Sequence, residues 1–257
     1  MNNLPKISVI TPSYNQGEFL EKTIKSVLDQ NYPKLEWIVM DGGSTDSSVE
    51  ILKQYEEHFT YWQSEKDDGQ SAAINAGMAK ATGDICCWLN SDDLFPKGTL
   101  DKVAQVFMET PEAQWLIGRG DFWDLSGKFL RDRFPVDVDK IPEWKESALC
   151  QPSTFWRRDL WEKVGGLNRQ LHYSMDFDLW LRFLNESRPK TLDKVLSISQ
   201  VHEDMKSLAG ADEMFVEHSL VLAMNGHFDQ AKVKLMRPIT KIFSLDRKFG
   251  FIKKLFS

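Results

Sequence analysis

The sequence predicts an α/β fold whose central sheet is mostly parallel and flanked by helices, with a helical extension at its C-terminal end. Three observations predict it. Short apolar runs alternate with helical patterns through the first half of the chain, as strand-helix-strand units require. Asp84-Ile85-Cys86-Cys87-Trp88-Leu89 is apolar on both faces, as a central strand covered on two sides must be. The loops after the apolar runs are polar, and open parallel sheets bind ligands at the carboxyl ends of their strands.

Lys6 to Ile10 opens the series, and Leu20, Ile24, Val27 and Leu28 then recur at helical spacing until Pro33 forbids continuation. Leu35 to Met40 reads as the second strand. Ser47 and Glu50 have capping-box spacing ahead of Ile51, Leu52 and Tyr55, so a second helix begins just past Asp46. Phe59 to Ser64 is a third strand, Gln70 to Ala81 an alanine-rich helix ending at Gly83, and 84–89 the fourth strand. Beyond Asp93 the pattern predicts a helix at 100–107, a strand at 115–118 and a hairpin turning near Ser126-Gly127. Helices follow at 158–164, closed by Gly165-Gly166, and at 177–186, then a strand at 195–201 and helices at 211–224 and in the tail. No repeat or Pro/Gly linker separates the two halves.

With 257 residues, 42% of them hydrophobic, the chain is long enough for a substantial core, which excludes disordered and fibrous classes. No apolar run reaches the roughly 18 residues of a membrane span, and the first six residues lack a secretory apolar stretch, so a cytoplasmic location is expected. The three cysteines form neither a disulfide framework nor a paired zinc site and are expected as free, buried thiols. The net charge of −6 hides an asymmetry: residues 231–257 carry +7, leaving −13 for the rest. Such a body repels nucleic acid, so no nucleic-acid partner is expected. Apolar residues such as Phe243, Phe249 and Ile252 interleave with the lysines of the tail, as in an interfacial helix, so peripheral contact of 231–257 with an anionic membrane is an expectation.

The polar strand ends are Thr11-Pro12-Ser13-Tyr14-Asn15, Asp41-Gly42-Gly43-Ser44, Lys66-Asp67-Asp68-Gly69-Gln70 and Asn90-Ser91-Asp92-Asp93. Neither dinucleotide-binding nor P-loop glycine spacing occurs among them. A diphosphate among so many carboxylates needs a divalent cation between the charges, and Asp92-Asp93 offers oxygen ligands for Mg²⁺ or Mn²⁺. Adjacent side chains on extended backbone point oppositely, so one of the two acids is expected to bind metal.

These loops, with Asp41-Gly42-Gly43-Ser44-Thr45-Asp46 and Met175-Asp176-Phe177-Asp178-Leu179-Trp180, resemble in order the family 2 glycosyltransferases of type-A fold, over residues 5 to about 205. The resemblance implies an inverting, metal-dependent transfer of a sugar from a nucleotide sugar, a UDP-sugar in the first instance, to a saccharide or lipid-linked acceptor in cell-envelope or polysaccharide synthesis. It implies a glycosyltransferase domain at 1–205, with a nucleotide-binding half at 1–94 and an acceptor half at 95–205, followed by an extension at 206–257 with the basic amphipathic tail. Thr11 and Tyr14 would lie against the base, Asp41 would accept from its ring N–H, and Asp68 would complete that pocket. Asn90 stands where the family has an acid that holds the ribose, and Asp92 matches the metal-binding acid. His202 matches a histidine that reaches the metal or the diphosphate, and Asp93 is assigned to the donor or acceptor sugar. Asp176 matches the general base, with Asp178 as the alternative, while Met175 replaces a common Glu.

Competing readings are structural. Asp46 is read as a helix cap and excluded from the site. Asp176 and Asp178 could merely complement a helix dipole. Trp88, Trp161 and Trp180 are read as core, and one of Trp115, Trp123, Trp144 or Trp156 as the floor of an acceptor site. Two rival functions remain at this point. A sugar-phosphate nucleotidyltransferase requires a basic glycine-rich loop after the first strand, and a non-catalytic nucleotide-sugar-binding module is favoured by Asn90 and Met175.

Overall fold

The computed structural model describes residues 4–134, 149–203, 205 and 211–229. Strand β1 (Ile7–Ser13), buried at every position, runs parallel to β2 (Leu35–Asp41) on one side and β4 (Ile85–Trp88) on the other, and β3 (Tyr61–Ser64) extends the parallel set beyond β2. The connecting helices are α1 (Gly17–Leu28), α2 (Ser48–Gln54) and α3 (Gln70–Met78). Helix α1 buries Phe19, Leu20, Thr23, Ile24 and Val27, the helically spaced stripe the sequence displays. Helix α3 lies so close to the sheet that a Cβ on Gly77 would stand 2.6 Å from Ile10 Cγ2, which explains glycine there.

The second half is mixed. It comprises β5 (Asp93–Leu94), α4 (Thr99–Glu109), β6 (Trp115–Asp124), β7 (Phe129–Arg133), β8 (Thr154–Arg157), α5 (Arg158–Val164), α6 (Met175–Glu186), β9 (Lys190–Val201) and α7 (Ala211–Met224). Among the described residues the strands form one sheet in the order β3-β2-β1-β4-β8-β6-β9-β5, with β7 paired to β6. Strand β8 is antiparallel to β4 and β6, and β9 is parallel to β6. Strand β9 then pairs antiparallel with β5, setting Asp93 opposite Ser199, and this brings the loop after β4 to the end of β9.

Three local features depart from the sequence reading. The Ser47/Glu50 capping box does not form: Ser47 has helical backbone and no side-chain cap bond. Asp46 does that work, its Oδ1 accepting from Ser48 N at 3.0 Å and its Oδ2 from Gly17 N at 2.8 Å, so one carboxylate anchors the starts of α1 and α2. The segment 115–124 is a single strand that continues into the expected hairpin, with Gly127 at φ +85° in its turn. Trp115 and Trp156 are fully buried and cannot floor an acceptor site; Trp123 is half-buried on β6, and Trp144 lies outside the described residues. Trp115 and Trp156 join Trp88, Trp161 and Trp180 in a contiguous cluster, with ring centroids 5.7 Å apart for Trp88–Trp180, 6.0 Å for Trp115–Trp180 and 5.7 Å for Trp156–Trp161. The cysteines are free and buried, as expected.

One buried acid, which the strand pattern hides, ties the parallel set together. Glu36 on β2 is 3% exposed and accepts from Ser8 Oγ on β1 at 2.5 Å, from Thr82 N and Oγ1 at 2.6 and 2.7 Å, and from the Lys6 ammonium. Burial pushes its carboxyl up, but these donors overwhelm that effect and hold it at about 2.

Candidate active site

The loops at the ends of β1 and β2 are bound to each other. Asn15, in left-handed backbone at φ 51°, accepts from Thr45 N at 2.8 Å, while its own N–H donates to Ser44 Oγ at 2.8 Å. Asp41 is 1% exposed and serves as the hub of the turn: Oδ2 accepts from Gly43 N, Ser44 N and Ser64 Oγ at 3.2, 2.9 and 2.7 Å, and Oδ1 from Ser44 Oγ at 2.5 Å. Gly43 has φ +79°, and a Cβ there would meet Lys66 N at 3.1 Å, so the turn needs glycine. A carboxylate has about four acceptor positions, so Oδ1 keeps one for a donor from outside. Thr11 is fully buried and takes a hydrogen bond from Trp37 Nε1 at 3.0 Å. A side chain held in this way supports the strand end, whereas Tyr14, 61% exposed, is open to a ligand.

A cleft of about 400 Å³ opens beside these loops, lined by Met40, Asp41, Gln63, Asp67, Asp68, Ala72, Ala73, Asn75, Ala76 and Arg169. Alanines of α3 give it a smooth apolar wall, and acids and one guanidinium give it a charged rim, a composition suited to a flat polar ring. Asp68 is exposed and ion-paired with Arg169. Arg169 is placed by Asn75, whose amide exchanges two 2.9 Å hydrogen bonds with the Leu167 backbone.

The loop after β4 separates its two acids. Asp93 turns inward at 6% exposure and accepts from Asn90 Nδ2 at 3.0 Å; burial and the neighbouring Asp92 carboxylate push its carboxyl well above the usual range. Asp92 turns outward, and its Oδ2 lies 3.1 Å from Nε2 of His202, whose ring stacks on Phe19 at 4.1 Å. Asn90 also accepts from Gln70 Nε2 at 2.9 Å and donates to Gln151 Oε1 at 3.1 Å, an amide chain linking α3 to the loop before β8. An acid at position 90 would face the Asp93 carboxylate, and the amide removes that repulsion.

Consecutive residues at the start of α3 connect this corner to α6. Gln70 binds Asn90, and Ser71 Oγ lies 2.7 Å from Met175 Sδ. Met175 is therefore a buried plug, 6% exposed, where a glutamate would strand a charge. Asp176 follows, partly exposed, its Oδ1 accepting from Phe177 N at 2.7 Å. Asp178 is 3% exposed and paired with Arg182 at 2.7 Å, so it holds a structural ion pair and is not available as a base.

The sequence profile of glycosyl transferase family 2 matches residues 8–164. The chain belongs to that family. An uncharacterized glycosyltransferase of Mycobacterium tuberculosis, Rv1514c, is 36% identical to this family 2 enzyme over 207 residues, covering 76% of this chain and 75% of that one. The Staphylococcus aureus protein TarS (residues 1–349), crystallised with UDP-GlcNAc, superposes with a TM-score of 0.67 at 18% identity, over 90% of this chain and 67% of that one. The mannosyltransferase PcManGT of Pyrobaculum calidifontis, crystallised with GDP-Man and Mn²⁺, superposes with a TM-score of 0.63 at 18% identity, over 97% and 81%. The mixed α/β sheet is thus shared with type-A glycosyltransferases.

The donor set of this glycosyltransferase fits a hard divalent cation. Asp92 and His202 present a carboxylate oxygen and an imidazole nitrogen to each other, and among the described residues no group of three or more His, Cys, Asp or Glu is placed to hold a metal ion. Mg²⁺ is usually held through one or two carboxylates with substrate phosphates completing its shell, and this pair would supply the protein's share. Sequence reasoning missed Arg169 and Gln151, whose partners stand 101 and 61 residues away and leave no local spacing to read, and it named Gln70 in the loop after the third strand without a role.

Proposed function

We propose that the enzyme transfers a sugar, with inversion, from a nucleotide sugar to a saccharide or lipid-linked acceptor in cell-envelope or polysaccharide synthesis, and that its donor is a UDP-sugar. The observation that carries this is the Asp92–His202 pair, joined to the Asp41/Asp68 cleft through Gln70 and Asn90. The UDP-GlcNAc bound by TarS supports the donor class. Support for the pathway comes from TuaG of Bacillus subtilis, provisionally named for teichuronic acid biosynthesis and 41% identical over 110 residues, 41% of this chain and 43% of that one.

In this reading Tyr14 covers the base, Asp41 accepts its ring N–H on the remaining Oδ1 position, Asp68 closes the pocket and Asn90 holds the ribose. Thr11 supports the end of β1 beneath Tyr14, and Asp93 orients the Asn90 amide that faces the sugar. Asp92 and His202 would hold Mn²⁺ or Mg²⁺, and a bound cation would supply positive charge against the negative charge that grows on the departing diphosphate. Asp176 takes the proton of the acceptor hydroxyl as it attacks the anomeric carbon from the opposite face. Residues 1–94 and 95–205 serve as donor and acceptor halves. Asp92→Ala is expected to abolish the Mn²⁺-dependent part of UDP affinity, read by titration calorimetry; equal wild-type affinity with and without Mn²⁺ sinks the metal assignment. A nucleotidyltransferase is disfavoured because the β1 loop is neither basic nor glycine-rich.

The same reading puts the enzyme at the inner face of the membrane. No helix among the described residues is long and apolar enough to cross one. On α7, Val216, Leu220 and Met224 are exposed at four-residue spacing, and Phe228 continues the stripe. The +7 segment 231–257 follows directly, and only that end of a −13 body is attracted to anionic lipid. Deleting 231–257 is expected to lower co-sedimentation with vesicles containing phosphatidylglycerol, an effect that 0.5 M salt should mimic; an unchanged pellet fraction refutes the contact.

A further inference from the structure

We infer that Glu217, on α7, is a positioning residue for Asp176, an inference that rests on the base assignment above. Asp176 is the second residue of α6, and the N-cap of that helix, Ser174, makes no side-chain cap bond of its own. The segment that leads into α6 is held instead by a helix that begins 25 residues after α6 ends. Three successive backbone N–H groups, those of His172, Tyr173 and Ser174, converge on the Glu217 carboxylate at 2.8, 2.6 and 2.9 Å. Charge-assisted bonds of this kind are about twice as strong as neutral ones, and three of them fix the peptide planes immediately before Asp176.

The next residue on α7 extends the grip. Nδ1 of His218 lies 2.8 Å from Ser174 Oγ, and the His218 ring stacks on Phe177 at 4.7 Å, so both neighbours of the Met175-Asp176 pair are held from α7. Ser71 holds Met175 from the other side. The direction of the Asp176 carboxylate is set by the first turn of α6, and that turn is set by Glu217. Without the clamp, 172–174 must find other acceptors, and a displacement near 1 Å at a reacting group costs on the order of 100-fold in rate.

The test uses the full chain and reads UDP release from UDP-glucose, UDP-galactose or UDP-N-acetylglucosamine, whichever the wild type turns over fastest. Glu217→Ala is expected to lower kcat on the order of 100-fold with donor KM within about twofold. Glu217→Gln, which keeps one acceptor oxygen, is expected to recover part of the loss and serves if the alanine variant does not fold. Glu213→Ala, exposed one turn earlier on α7, should change neither constant. The deciding readout is a double-mutant cycle: in an Asp176→Asn background the Glu217 substitution should cost nothing further, because the group it positions is already gone. Equal losses in both backgrounds, or a fall in thermal stability with kcat intact, overturn the proposal. Wild-type turnover in Asp176→Asn alone removes the base assignment itself, and the two failures are thereby told apart.

Discussion

Asp176→Asn is expected to reduce turnover by roughly 10²- to 10⁴-fold while nucleotide affinity stays within about twofold, since general-base assistance is worth about that factor. The substitution is isosteric, and the amide oxygen can still accept from Phe177 N, the contact at 2.7 Å that seats the side chain at the start of α6. What is lost is the capacity to take a proton. UDP release and calorimetry on the same protein separate the two effects. The companion substitution Asp178→Asn should act through stability, because that carboxylate is buried against Arg182. If Asp176→Asn turns over like wild type, the base lies elsewhere.

Glu36→Ala is expected to cost about 3 kcal/mol, within the range for removing one partner of a buried charged network, and to lower Tm by on the order of 10 °C. Lys6 is 40% exposed, so its Coulombic share is screened, and most of the loss comes from the Ser8 hydroxyl and the Thr82 donors left without an acceptor. The pH dependence has a definite sign. A carboxyl held at about 2 in the folded chain against an ordinary 4.5 contributes stability that is complete above pH 4.5 and fades as pH falls toward 2. Glu36→Gln should therefore flatten the stability curve in that window. Urea titrations at pH 6 and pH 3 compare the slopes, and parallel wild-type and variant curves would contradict the role given to Glu36.

The readable parts of this fold are those where local pattern and tertiary demand agree. Helices α5 and α7 run over 158–164 and 211–224 as expected from the sequence, and β1 to β4 follow their apolar runs, because buried parallel strands need continuous apolar sequence. Strand β8 escaped notice: four residues, Thr154–Arg157, directly after a Pro-containing turn carry too little alternation to announce a strand wedged between β4 and β6. The two-residue β5 exists only because β9 reaches it. At the site, the acids at 41, 68 and 92 were legible from their place after apolar runs. Their environments were not. That Asp93 faces inward, that Asp178 is spent on Arg182, and that Thr11 serves Trp37 are decided by partners 4 to 106 residues away.

The tryptophan stack has an optical consequence. Indoles whose centres lie within 6 Å and whose planes are tilted by 8° to 63° couple their transitions, so Trp88, Trp115, Trp156, Trp161 and Trp180 should give this enzyme an exciton couplet in its circular dichroism. Only Trp88, on β4, comes from the parallel part, so the share of the couplet that it carries with Trp156 and Trp180, 5.4 and 5.7 Å away, is lost once the parallel and mixed parts of the sheet separate, and the join between them can be watched without a dye.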